Sequence, residues 1–259
     1  MSQWLVLFKK EVLEMWRNYK WIWIPTVFIL LGVLQPLTAH YMPQILEANN
    51  LPKEMIENIP IPTAPQVLVE VLSHYGLLGI LILVLSFMAS VAGEKQNGSA
   101  VLVLVKPVSH LSYITAKWTA ITSATLFSFA LGYLAAWYYT GILVGEVSFI
   151  DFIASLLVYS VWLIFVVTVT LFFSTWMKSN GAIAFLSILT IGAISIATSL
   201  FSNVLTYSPS KLNSYAGSIV MGGGELGSTF WYTMLITIGI IILCIVGANK
   251  MLQRQDIGE

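Results

Sequence analysis

The chain has 259 residues, of which 58% are hydrophobic and 9% charged, with zero formal net charge. An ordinary soluble domain carries about 25% charged residues, so this composition excludes one. The charge balance points to neither nucleic acid nor a polyanionic partner, and a lone Cys244 excludes an intrachain disulfide or a thiolate metal cluster.

Residues 3–19 place Trp4, Phe8, Val12, Met15 and Tyr19 on one stripe of a helix, with Lys9, Lys10, Glu14 and Arg17 on the other faces. That pattern predicts an amphipathic helix, residues 1–20, lying in the headgroup layer. The alternative is simply the cytoplasmic start of the first span.

Six stretches then run without Asp, Glu, Lys or Arg: Trp21–Leu46, Tyr75–Gly93, Trp118–Gly145, Phe152–Met177, Ser179–Ser210 and Leu226–Asn249. Crossing a hydrocarbon core takes roughly 20 apolar residues of helix. Lipid leaves backbone polar groups unsatisfied, so the spans are expected to be helices, and their length excludes a barrel. The expected fold is an all-α polytopic membrane protein, a single domain over 1–259. Its spans fall at about 21–42, 72–93, 118–142, 152–177, 181–206 and 229–250. The first span is too long for a signal h-region and reads as a retained anchor.

Ten of the twelve basic residues lie on one side when the N-terminus is inside, and only Lys53 and Lys211 lie outside. The positive-inside rule then puts both termini in the cytoplasm. Trp21, Trp23, Trp118 and Trp176 are expected at the inner interface, and Tyr41, Trp137, Trp231 and Tyr232 at the outer one. Pro25 and Pro36 are candidate kinks in span one, and Gly192 a loose point in span five. Pro43, Pro52, Pro60, Pro62 and Pro65 predict an external loop over Pro43–Glu70, with at most a short helix near Leu51–Asn58. Its glutamates read as solvated surface.

The segment Glu94–Ser109 has a polar start and an apolar middle, and Pro107 ends any helix there. Ser109 is placed to cap the helix that leads through Tyr113 and Lys117 into span three. An apolar helix outside the bilayer needs something to bury its face, and a soluble partner is the natural candidate. The alternative is a helix lying flat on the membrane.

This segment resembles that of an ABC-2 type permease, the membrane subunit of one class of ATP-binding-cassette exporter. The family has a Glu, then a Gly, a short apolar run, Pro-x-Ser and a Lys leading into the third span. Glu94, Gly98, Leu102, Leu104, Pro107, Ser109 and Lys117 stand in those positions. Phe8-Lys9-Lys10-Glu11 with Arg17 also resembles the family's opening helix, whereas Ser99-Ala100 departs from its usual Thr-Leu. The resemblance implies that the segment after Glu94 is a cytoplasmic coupling helix docked on an ATPase subunit. It implies that Tyr207–Thr229 forms a short re-entrant outer segment between spans five and six. It further implies two ATP-binding subunits, a second permease subunit (as a homodimer or heterodimer), and a plasma-membrane location.

The chain's own chemistry is expected to be sparse. Gly93–Gly98 has the glycine spacing of a phosphate-binding loop, but Ser99-Ala100 follows in place of Lys and Ser/Thr. ATP and magnesium are therefore expected on the partner subunit, with no cofactor, metal or catalytic residue in this chain. His40, His74 and His110 sit at span edges or in loops, and no H-E-x-x-H or paired-carboxylate motif appears. The rival reading is a secondary transporter or accessory membrane subunit without ATPase coupling. No span carries a mid-membrane carboxylate, which argues against ion coupling. Span four carries hydroxyls such as Ser155, Thr168 and Ser174, and span five Ser195, Thr198, Ser199 and Ser202. Helix packing is the first use of such residues, and a path lined by them suits a hydrophobic or amphipathic cargo. Trp162, near the middle of span four, is expected to pack against a neighbouring helix.

Overall fold

A computed structural model describes residues 3–48, 62–98, 109–223 and 227–256, and all regular structure among them is helical. Six helical segments are long and apolar enough to cross a membrane: Lys20–Ala48, Ala64–Gln96, His110–Leu143, Phe149–Trp176, Asn180–Leu200 and Ser228–Arg254. They are spans one to six of a multi-pass membrane protein.

Helix α1 (Gln3–Arg17) precedes them and lies against span three. Its stripe is real but rotated from the expected one. Met15 is buried and Leu7, Phe8 and Val12 pack on the core, but so does the carboxylate of Glu11. Tyr19 leaves the stripe altogether. It takes a left-handed φ of 56° and is exposed, because it forms the turn between α1 and span one.

Span one (α2, Lys20–Ala48) is one helix running through Pro25, Pro36 and Pro43. The expected loop from Pro43 to Glu70 is therefore shorter than the proline count suggested. Its middle, including Leu51–Asn58, lies outside the described residues. At the far side Pro65 starts a helix instead of breaking one, since a first-turn residue needs no intrahelical N–H partner. Thr63 precedes it, with its backbone N–H donating to Gln66 Oε1 at 2.8 Å.

Span two is built in pieces: α3 (Ala64–His74), a π turn (Tyr75–Gly79), α4 (Ile80–Phe87), a turn at 88–91, and the short α5 (Ala92–Gln96). The π turn marks the tightest packing in the bundle. There Gly32 of span one faces Gly132 of span three (α6, His110–Leu143), and a Cβ on Gly132 would lie 2.6 Å from the Phe28 carbonyl oxygen. Small residues let two membrane helices approach this closely. Tyr75 fills the space beside them, donating to the Phe28 carbonyl at 2.8 Å and stacking on the Phe28 ring at 5.1 Å. A ladder of rings continues through Phe129, Tyr159, Tyr133 and Phe152. Each phenol in it is satisfied, Tyr159 on the Leu72 carbonyl at 2.9 Å and Tyr133 on Ser155 at 3.1 Å.

Span four (α7, Phe149–Trp176) is the central helix: 61% of its most apolar window is buried, against 22% for span six (α10, Ser228–Asp256). Its hydroxyls pack as expected, and Thr168 accepts from the Trp118 indole at 2.8 Å. Trp118 thus ties spans three and four together. Trp162 is 2% exposed and stacks on Phe165. Span five (α8, Asn180–Leu200) is followed by turns and then α9 (Lys211–Val220), which packs against spans two and four.

Candidate functional site

The segment between spans two and three begins at a chain reversal that span four holds in place. Ser174 Oγ accepts the backbone N–H groups of Val91 and Ala92 at 3.0 and 3.1 Å. Lys95 Nζ donates to the Thr175 carbonyl at 2.7 Å, and Gln96 Nε2 to that of Lys178. The Thr175 carbonyl belongs to the last turn of span four, where helix carbonyls lack internal partners and the dipole favours a cation, and that of Lys178 to the turn that follows. Three side chains thus fix α5 as a clamp, although the helix itself is barely more than one turn.

Glu94 projects from that clamp into a buried ionic junction. Only 6% exposed, it accepts from Lys10 Nζ and Tyr113 Oη and pairs with Lys117 Nζ at 2.9 Å. Lys117 of α6 is 1% exposed. It donates to both carboxylate oxygens of Glu11 at 2.8 Å each and lies 5.2 Å from the Tyr113 ring centroid. Lys10 closes the set, 3.0 Å from both Glu11 and Glu14. Lys20 lies within electrostatic reach of Glu14, Lys117 and Glu11, and donates to the Ser86 carbonyl at 2.7 Å. Lys10 and Lys117 thus pair with all three carboxylates of Glu11, Glu14 and Glu94, so the burial of charge is compensated locally.

Partial burial of Lys10 disfavours its charge, but Glu11, Glu94 and Glu14 outweigh it and raise its pKa above the ordinary 10.5. A raised amine pKa stabilises the fold fully below the unfolded value. That contribution is lost only as pH climbs from 10.5 through the higher folded value. Carboxylate oxygens of Glu11, Glu14 and Glu94 lie within 4.8 Å of one another, but lysine ammonium groups already occupy the ground between them. The arrangement is a closed ionic joint, not a cation cage.

The expected site residues are thus divided. Glu94, which opens the segment expected to dock on an ATPase subunit, is buried against Lys10, Lys117 and Tyr113. Gly98 ends α5 with a left-handed φ of 72°, a conformation that favours glycine. Ser109 caps α6 as expected, accepting from the Ser112 N–H at 3.2 Å. Leu102, Leu104 and Pro107 lie outside the described residues. Sequence reasoning missed Glu11, Tyr113 and Ser174 as members. One signal was available for Glu11: it stands three residues after Phe8 and four before Met15, on the apolar stripe itself.

The family described as "Protein of unknown function (DUF2705)" matches residues 53–258, a stretch that includes spans two to six and the whole of the α5 clamp. The chain belongs to the DUF2705 family. It is also 36% identical over 253 residues to the "Uncharacterized transmembrane protein YxlG" of Bacillus subtilis (strain 168), covering 97% of this chain and 98% of that protein. The relative's description as a transmembrane protein agrees with the six spans of this DUF2705 member. The junction joins a helix ahead of the family match, α1, to two elements within it, α5 and α6.

Proposed function

We propose that this chain is the permease subunit of an ATP-binding-cassette exporter of the ABC-2 type, with residues 99–108 as the element that meets its ATPase. One observation supports this most directly: both ends of that segment are rigidly anchored. Glu94 and Ser174 hold the end before it, and Ser109 and Lys117 hold the end after it. A load applied to the segment passes through the ionic junction into spans two and three and into α1. In this reading the junction end faces the cytoplasm of a plasma membrane, as the ten-to-two distribution of basic residues favours. Helix α1 lies in the inner interface, and α9 is the re-entrant outer helix. ATP and magnesium are bound by two copies of a separate subunit, and a second permease completes the path.

The test replaces Leu102 and Leu104 together with Asp. If their apolar face is buried on the ATPase, the double variant fails to co-purify with the co-expressed ATP-binding subunit while expression and monodispersity stay normal. A variant that keeps its ATPase and exports at the normal rate removes the coupling role and favours an accessory or ion-coupled membrane subunit.

A further inference from the structure

At the end of the bundle opposite the junction, spans two, four and five and the first turn of α9 enclose a cleft of about 490 Å³. That volume lies in the range of small-ligand sites, about 300–1,000 Å³. It reaches deep. Trp162 lines it 13 residues into span four, and Leu77 13 residues into span two, which is about 20 Å along either helix. Above that depth the lining is polar, with Ser195 five residues inside the C-terminal end of span five and Ser199 and Ser202 exposed at and beyond that end. Ser195, Ser199, Ser202 and Asn213 line the cleft and carry no side-chain hydrogen bond among the described residues. Trp162 closes the deep end of the cleft, 2% exposed and with its indole N–H fully buried. Helix packing satisfies the hydroxyls of span four, whereas here donors are left over.

The charge of the lining is one-sided. Lys211 is the only ionisable side chain in it, no carboxylate accompanies it, and no described carboxylate pairs with it. It stands in the first turn of α9, where the helix dipole also favours an anion. Leu77, 73% exposed, leaves the cleft open to the side, and Ile196 and Leu200 of span five are exposed apolar side chains on a neighbouring helix. A lateral apolar opening admits a chain from lipid, while one cation and several hydroxyl and amide donors suit a single negative charge bearing acceptor oxygens.

We propose that this cleft binds the monoanionic phosphodiester headgroup of an amphiphile, with Lys211 and the Asn213 amide as donors and the acyl chains lying outside along spans two and five. The proposal does not rest on coupling to an ATPase, because this chain alone forms the site.

The test is a titration of the purified full chain in detergent, followed by native mass spectrometry. Phosphatidylglycerol should bind saturably, one molecule per chain, in preference to zwitterionic phosphatidylcholine. Lys211→Gln should weaken it about tenfold, the scale of one charge-assisted hydrogen bond. Asn213→Ala removes an amide that lines the cleft and should weaken it in the same direction, whereas Trp162→Phe, which removes only a buried N–H, should leave it unchanged. Lys250→Gln, at the far end of span six, should leave it unchanged and so reports generic attraction to lipid. Inorganic phosphate at millimolar concentration should not displace the lipid; displacement would make this a soluble-anion site and overturn the amphiphile. Equal binding of both lipids, or unchanged affinity in a folded Lys211→Gln variant, would overturn the site itself.

Discussion

Replacing Lys117 with Met is the sharpest test of the ionic junction. The ammonium is 1% exposed and makes three contacts of 2.8, 2.8 and 2.9 Å with Glu11 and Glu94. Methionine matches its length and stays compatible with the Tyr113 ring, so packing changes little. What remains is two buried carboxylates facing each other with only the half-exposed Lys10 between them. Removing one partner of a buried pair costs about 3–5 kcal/mol, because the other charge is left uncompensated. For a chain of this size, about 2–4 °C of midpoint accompanies each kcal/mol. The expected loss is then on the order of 6–20 °C, read by tryptophan fluorescence during heating in detergent. Glu11→Gln on the Lys117→Met background should recover part of it, since one of the orphaned charges is removed. Lys10→Met, at 40% side-chain exposure, should cost far less. A Lys117→Met midpoint within about 2 °C of the parent would refute the claim that this cluster carries stability.

Gly132→Ala should separate spans one and three, because its methyl would lie 2.6 Å from the Phe28 carbonyl oxygen and 2.7 Å from the Tyr75 hydroxyl. The overpacking should cost about 1–3 kcal/mol or more. Gly239→Ala, which meets nothing within 4 Å, is the control, and equal midpoints for the two variants would contradict the crossing described. Ser174→Ala removes the shared acceptor of the Val91 and Ala92 amides, at about 1–3 kcal/mol. Hydrogen exchange at these amides should accelerate while that of span-three amides near Gly132 stays slow, and unchanged exchange would show that the clamp does not depend on this hydroxyl.

Six uncharged runs of about 20 residues or more can do little else than cross a bilayer as helices, since each satisfies its own backbone locally. The spans, the cap at Ser109 and the inward burial of Trp162 were therefore legible without coordinates. Helix bounds were less so: Pro43 and Pro65 read as loop residues, because proline's effect depends on whether the position needs an N–H, and Pro65 falls where none is needed. The junction was invisible for a different reason. Glu11 and Lys117 are 106 residues apart, one in the middle of α1 and the other at the expected edge of span three, where an isolated charge looks solvated. Only the docking of α1 against span three and the reversal of the chain at Ser174 bring them together in a place water does not reach. The hydroxyls divide the same way. Those of span four and those of span five look alike in sequence, but the position of α9 leaves the second set facing a cleft with Lys211 while helix contacts use up the first. Local chemistry decided which segments enter the membrane, and long-range packing decided which polar groups are consumed in holding them and which are left lining a cleft.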